Sequence, residues 1–203
     1  MASMNEAENE AVYEKLLKIK TTGRDDTNAD TFRYPYEPTP YCILERLANS
    51  GYFTKRNTLL DYGCGKGRVS FFLSYHTKCT SVGIEYNERI YHTALENKKT
   101  SSAGNRVSFL MEDAAKYEVP EAVDRIFFFN PFSVELLHSV VSRIMDSYYA
   151  APREMYLMFY YPSDEYITYL MSHDDLAFVD EIECDDLFQE NKQRERILIF
   201  TIE

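Results

Sequence analysis

Residues 58–68 read TLLDYGCGKGR: an apolar run ending in an acid, then Gly63, Gly65 and Gly67 at alternate positions, then Arg68. Glycine loses more conformational freedom on folding than any other residue, so this spacing is costly unless the backbone must turn sharply and come close to something. The stretch predicts a strand-to-helix junction at a ligand site, since open α/β sheets bind ligands beyond the carboxyl ends of their strands. The rest of the chain extends the pattern. Strands are expected over 57–63, 79–86, 106–113, 124–130 and 154–162, and helices over 66–77, 87–104, 133–149 and 164–173. That alternation implies parallel pairing through right-handed crossovers. RIFFFN (125–130) and MYLMFYY (155–161) are apolar on both faces, as central strands must be. Segments 178–183 and 194–202, joined by the polar CDDLFQENKQ, predict an antiparallel hairpin. The expected fold is α/β: a doubly wound, mostly parallel seven-stranded sheet with helices on both faces and an antiparallel C-terminal hairpin at one edge.

Ahead of this unit, residues 1–20 predict a docking helix with Val12, Leu16 and Ile19 on its inner face. Residues 21–38 are rich in turn formers and read as a long loop of the kind that serves as a lid. A short helix carrying Ile43, Leu44 and Leu47 follows Pro40. The expected organisation is an N-terminal helix and lid-like loop over 1–40 and one ligand-binding domain over 41–203.

Charge restricts the partners. The chain carries a net charge of −11, so its surface on average repels phosphate backbones, and nucleic acid is a disfavoured partner. No apolar stretch approaches the roughly 20 residues needed to span a bilayer, and the N-terminus is acidic where a secretory signal would be basic. The expectation is a cytoplasmic protein without membrane contact. Cys42, Cys64, Cys79 and Cys184 form no C-x-x-C pair and the four histidines no H-x-x-x-H pair, so no metal site is expected.

For a dinucleotide the expected spacing is G-x-G-x-x-G, with the last glycine allowing helix and sheet to pack closely. Here the sixth place is Arg68, which weighs against NAD or FAD, and the P-loop pattern G-x-x-x-x-G-K-[ST] is absent. The loop itself predicts an anionic group near Gly65, held by free N–H groups at the start of the next helix.

Four motifs, each at a strand end, resemble one family: DYGCGKGR, GIEYN with its acid after the second strand, MEDA after the third, and FFFNPF ending the fourth. From about residue 58 to its end the chain resembles the class I S-adenosylmethionine-dependent methyltransferases, whose characteristic sheet edge matches the closing hairpin. The resemblance implies S-adenosyl-L-methionine as cofactor. It implies that Asp61 orients the cofactor's amino group, that Gly63, Gly65 and Gly67 shape the loop, that Glu85 accepts hydrogen bonds from the ribose hydroxyls, and that Asp113 with Ala114 receives the adenine. Glu112 is an alternative one residue away. Tyr86 is either a ring packed on the adenosine or an ordinary core residue.

Asn130 to Phe132, NPF, stands where some members resembling this family carry N-P-P-[FY] to hold an acceptor nitrogen. Asn130, also a cofactor contact, and Phe132 are the catalytic candidates. One proline is missing, so the aromatic arrives a residue early, which weighs against an acceptor of that kind. Tyr36 and Thr39 from the lid and Tyr161 after the fifth strand are candidate substrate contacts. The resulting expectation is an enzyme that methylates an N or O atom of a small molecule or protein side chain. An RNA or DNA base methyltransferase and a non-catalytic S-adenosylmethionine-binding module are the alternatives, and the oligomeric state is open.

Overall fold

The structure, a computed structural model, describes residues 6–27, 31–188 and 195–203. Residues 1–5 of the expected first helix, 28–30 of the lid and 189–194 of the hairpin connection lie outside the described residues. The elements run α1 (Glu6–Leu17), α2 (Tyr41–Ala48), β1 (Thr58–Tyr62), α3 (Arg68–Thr77), β2 (Thr80–Glu85), α4 (Glu88–Thr100), β3 (Val107–Met111), β4 (Arg125–Phe128), α5 (Val134–Ala150), β5 (Tyr156–Tyr160), α6 (Asp164–Ser172), β6 (Leu176–Glu183) and β7 (Arg196–Ile202). The seven strands form one sheet in the order β3-β2-β1-β4-β5-β7-β6, parallel through β5 and antiparallel at β5-β7-β6.

Chain order reverses between β1 and β4, which pair in parallel with Asp61 opposite Phe127. A crevice opens there at the carboxyl ends of the strands, because the loops leaving β1 and β4 lead to helices on opposite faces of the sheet. Two apolar clusters cover the sheet. One joins Ile43, Leu44, Phe71, Phe72, Phe127 and Met158; the other joins Ile126, Phe128, Val140, Ile144, Phe159 and Phe200. The central strands are buried on both sides, as their unbroken apolar runs require. Asn87 starts α4 as expected, its side-chain oxygen accepting the Arg89 and Ile90 N–H groups.

The first helix differs from expectation in which face it buries. Val12 and Leu16 are 50% and 41% exposed, whereas Tyr13 and Leu17 pack inward and Ile19 is buried beyond the helix end. Glu10, Tyr13, Glu14 and Leu17, spaced at three and four residues, share the inner face. Glu10 and Glu14 turn inward because of Arg68, the first residue of α3. Its side chain is 2% exposed, lies 2.7 Å from the Glu10 carboxylate and 3.6 Å from that of Glu14, and stacks 4.3 Å over the Tyr41 ring. Its Nε donates to Thr21 Oγ1 at 2.7 Å and its Nη1 to the Thr39 carbonyl at 3.2 Å. Counting apolar residues cannot reveal a helix face made of carboxylates that answer a buried cation. A guanidinium taken out of water is tolerated only when its charge is met, and here the charge is met from α1 while Nε and Nη1 donate to the two ends of the lid.

Removing one partner of such a pair leaves the other uncompensated. Arg68→Ala is expected to cost about 3 kcal/mol in urea denaturation and to open residues 6–40 to proteolysis before the rest of the chain. A wild-type midpoint and digestion pattern would show that the cation contributes nothing net.

Candidate active site

The loop after β1 is tied down by its own hydrogen bonds. Gly63 and Cys64 both donate to the Ile84 carbonyl, at 2.9 and 3.0 Å, Gly67 donates to the Cys64 carbonyl at 2.9 Å, and Gly65 donates to Glu85 Oε2 at 2.9 Å. These four N–H groups are therefore engaged inside the protein. The glycines serve approach rather than charge. Gly65, at φ +57°, lies under the Tyr36 ring, where a Cβ would come within 2.1 Å of the ring carbons. Gly67, at φ +90°, faces Phe109 and Phe71, so it provides the close helix–sheet packing and does not line the cavity.

A cavity of about 1100 Å³ occupies the crevice between this loop and the lid. Of the residues expected at the site, Asp61, Gly63, Glu85, Tyr86, Ala114, Asn130, Phe132, Tyr36, Thr39 and Tyr161 line it, while Gly65 and Asp113 stand behind its wall with Gly67. Asp61 is 2% exposed and accepts a 3.0 Å hydrogen bond from Ser70 Oγ. Burial pushes its carboxyl up to about 7 against the pull of the Ser70 donors, with the nearby Glu85 charge adding to the rise. Burial also raises Glu85, opposed by the N–H groups of Asn87 and Gly65 that its oxygens accept. Among the described residues neither carboxylate belongs to an ion pair. Two carboxylates, Asp61 buried and Glu85 half-buried, facing one cavity without a counter-ion among the described residues favour a ligand that brings hydroxyls or positive charge, and disfavour a phosphate.

On the β3 side, Glu112 lines the cavity, while Asp113 turns toward the lid. Its carboxylate lies 3.6 Å from Arg33 and accepts the Ala115 N–H at 3.2 Å. The Arg33 guanidinium also stacks 3.8 Å over the Tyr86 ring, which is half exposed and so is not a core residue. Arg33 had no signal in the sequence, because only the lid's path carries it to the end of β2.

The NPF turn holds the opposite wall. Asn130 adopts φ +38°, its Nδ2 donates to the Tyr161 carbonyl, and its Oδ1 accepts the Ser163 N–H at 3.3 Å. The Asn130 amide thus links the loops after β4 and β5. The Pro131 carbonyl accepts the Tyr34 N–H at 3.2 Å, and Ser133 N–H reaches the Phe32 carbonyl at 2.9 Å, so the lid runs along this turn. Phe132 packs in the core against Tyr62 and Phe128, and its carbonyl accepts the Tyr166 hydroxyl at 2.6 Å. Tyr36 is fixed above Gly65 by its hydroxyl, which donates to the Thr21 carbonyl at 2.5 Å, and by two backbone bonds with Asp25 at 2.9 Å. Thr39 takes part through its carbonyl on Arg68. Glu10, Phe188 and Glu195, which the sequence did not single out, also line the cavity, as do Arg68, Phe129 and Tyr160. Among the described residues no cluster of His, Cys, Asp and Glu is arranged to hold a metal ion, and no helix is long and apolar enough to cross a membrane.

Residues 53–172 match a family model described as a methyltransferase domain. A protein-lysine N-methyltransferase of Saccharolobus islandicus is 27% identical over 90 residues, a match covering 43% of this chain and 55% of that protein, so the chain spans little more than half of this relative. The fold is similar to that of an RNA methyltransferase from Salinibacter ruber in complex with S-adenosyl-L-homocysteine, at a TM-score of 0.57 and 18% identity over 82% of this chain and 94% of the other. It is also similar to a magnesium protoporphyrin IX methyltransferase from Synechocystis with bound S-adenosylmethionine, at 0.58 and 16% identity over 80% and 77%.

The raised Asp61 sets the sign of a pH effect. An Asp held above its unfolded value of about 3.9 binds its proton more tightly in the folded protein. Between about pH 4 and pH 7 the folded state carries the extra proton, so stability falls as pH rises through that window and then levels off. Ligand-free Asp61→Asn is therefore expected to gain on wild type as pH rises from about 4 to 8 in urea melts. Parallel stability curves would show that Asp61 is already ionised in the folded protein throughout.

Proposed function

Because this chain belongs to the methyltransferase-domain family, we propose that it uses the S-adenosylmethionine crevice described above to methylate an N or O atom of a small molecule or a protein side chain. One observation carries the reading: two carboxylates, buried Asp61 and half-buried Glu85, face a single cavity at the switch point of the sheet beside a glycine loop whose Gly63, Cys64, Gly65 and Gly67 N–H groups are already engaged. That arrangement suits a cationic nucleoside and not a pyrophosphate. Asp61 would meet the cofactor's ammonium by a charge-assisted bond, Glu85 the ribose hydroxyls, and Glu112, Ala114 and Tyr86 the base. When bound, the cofactor supplies an electrophilic methyl on a sulfonium that leaves as a neutral thioether.

The protein's own work is then orientation and the exclusion of water, with few residues asked to do chemistry. Tyr36 and its neighbours close the cavity on one side, while the NPF turn, with Asn130 and Phe132, shapes the other. Asn130 acts here by positioning Tyr161. Among possible acceptors, a protein side-chain amine is favoured by the likeness to the archaeal lysine methyltransferase. Acidity opposes an RNA or DNA base as acceptor, because Glu37 and Glu112 line the cavity of a chain with a net charge of −11.

The test is calorimetric titration with S-adenosylhomocysteine. Wild type is expected to bind at micromolar Kd, and Glu85→Ala to weaken binding by about 1.5–3 kcal/mol, the range for hydrogen bonds to a charged group. An absence of binding to wild type overturns the reading. Binding without turnover on any amine, hydroxyl or nucleobase acceptor would leave a binding module.

A further inference from the structure

Beyond the residues assigned to the cofactor, the cavity reaches a wall built from the ends of β4 and β5 and the start of β7. Phe129, Tyr160 and Tyr161 line it, with ring centroids 4.6 Å apart for Phe129–Tyr160, 6.1 Å for Tyr160–Tyr161 and 6.5 Å for Phe129–Tyr161. Phe188 adds a fourth aromatic residue to the lining. Among these rings sits Glu195, only 6% exposed, whose Oε2 accepts the Tyr160 hydroxyl at 2.6 Å. Burial and the Glu195 carboxylate together hold the Tyr160 phenol above its ordinary range, so it stays protonated as the donor. Among the described residues no lysine or arginine pairs with Glu195.

A buried carboxylate with one phenol donor and, among the described residues, no counter-ion costs free energy unless something else brings positive charge to it. Electron-rich ring faces are poor partners for an anion and good ones for an ammonium. The wall is tied to the NPF turn: Asn130 Nδ2 donates to the Tyr161 carbonyl, and the Tyr161 N–H donates to the Arg196 carbonyl at 3.0 Å, next to Glu195. We propose that Glu195, with the rings of Phe129, Tyr160 and Tyr161, forms an acceptor subsite that selects a primary ammonium group of lysine type. This inference rests on the methyltransferase reading and deepens it, by assigning the acceptor a positive charge on entry. Phenols, carboxylic acids and nucleobases do not carry that charge. Glu195 recognises and aligns the incoming group, and Tyr160 fixes its carboxylate.

The experiment uses the full chain saturated with S-adenosylhomocysteine, titrated by NMR with N-α-acetyl-lysine amide and with N-α-acetyl-norleucine amide, which has no ammonium. Wild type is expected to bind the lysine probe at least about tenfold more tightly, the effect of one charge-assisted contact. Glu195→Gln, which keeps shape and a hydrogen-bonding oxygen, is expected to lose that preference while binding S-adenosylhomocysteine within about twofold of wild type. Tyr160→Phe keeps the ring and is expected to lose only part of it. Equal binding of the two probes by wild type, no binding of the lysine probe, or an unchanged preference in Glu195→Gln overturns the subsite while S-adenosylhomocysteine binding stands. Failure of wild type to bind S-adenosylhomocysteine instead overturns the methyltransferase reading beneath it.

Discussion

Arg68 is the residue on which the arrangement of the site depends. It follows the glycine loop directly, starts α3, and is buried with its charge met from far along the chain: Glu10 and Glu14 in α1, Thr21 at the start of the lid, Thr39 at its end, and the Tyr41 ring at the start of α2. An unmet guanidinium in this position would cost several kcal/mol. The condition is met only when the N-terminal segment lies across the carboxyl ends of the strands, so the lid's position follows from one buried cation. Around it Glu14 also accepts from the Tyr41 hydroxyl at 2.9 Å and the Thr21 N–H at 2.8 Å. Such a network is cooperative because each member lacks water as a substitute partner.

The N-terminal segment lies over a crevice whose lining is set by the ends of the strands. The glycine loop spends the N–H groups of Gly63, Cys64, Gly65 and Gly67 on Ile84, Cys64 and Glu85, beside a cavity lined by the Asp61 and Glu85 carboxylates and by Arg68, whose charge is met by Glu10 and Glu14. A doubly wound sheet with a glycine-rich first turn is often an anion site. Here the side chains at the ends of β1 and β2 that face the crevice are the carboxylates Asp61 and Glu85. Gly65 contributes by letting Tyr36 lie directly on the backbone, a contact any side chain would block.

The far wall depends on long-range pairing. The antiparallel insertion of β7 between β5 and β6 sets Ile197 opposite Tyr160, and it is this register that delivers Glu195 to the Tyr160 hydroxyl. The NPF turn braces the wall, Asn130 to the β5 loop and Pro131 to the lid, with Asn130 and Tyr161 both held at positive φ. Left-handed backbone at non-glycine residues is costly and persists only where the surrounding contacts over-determine it. The motif that read as an acceptor-holding tripeptide thus acts as a joint between three loops.

Local sequence was sufficient for the strand–helix alternation, the doubly wound sheet, the closing hairpin and the glycine turn, because apolar runs and turn residues report directly on burial and backbone geometry. It also put Asp61 and Glu85 at strand ends beside the loop, where both line the cavity. It misjudged the inner face of α1, and it was silent on Arg33 and Glu195. Those features are decided by contacts between residues tens of positions apart: a buried arginine that draws Glu10 and Glu14 inward, a carboxylate that takes the Gly65 N–H, an antiparallel register that places Glu195. Periodicity records how much apolar surface a segment buries. Which buried charge meets which partner is settled only when the chain has folded.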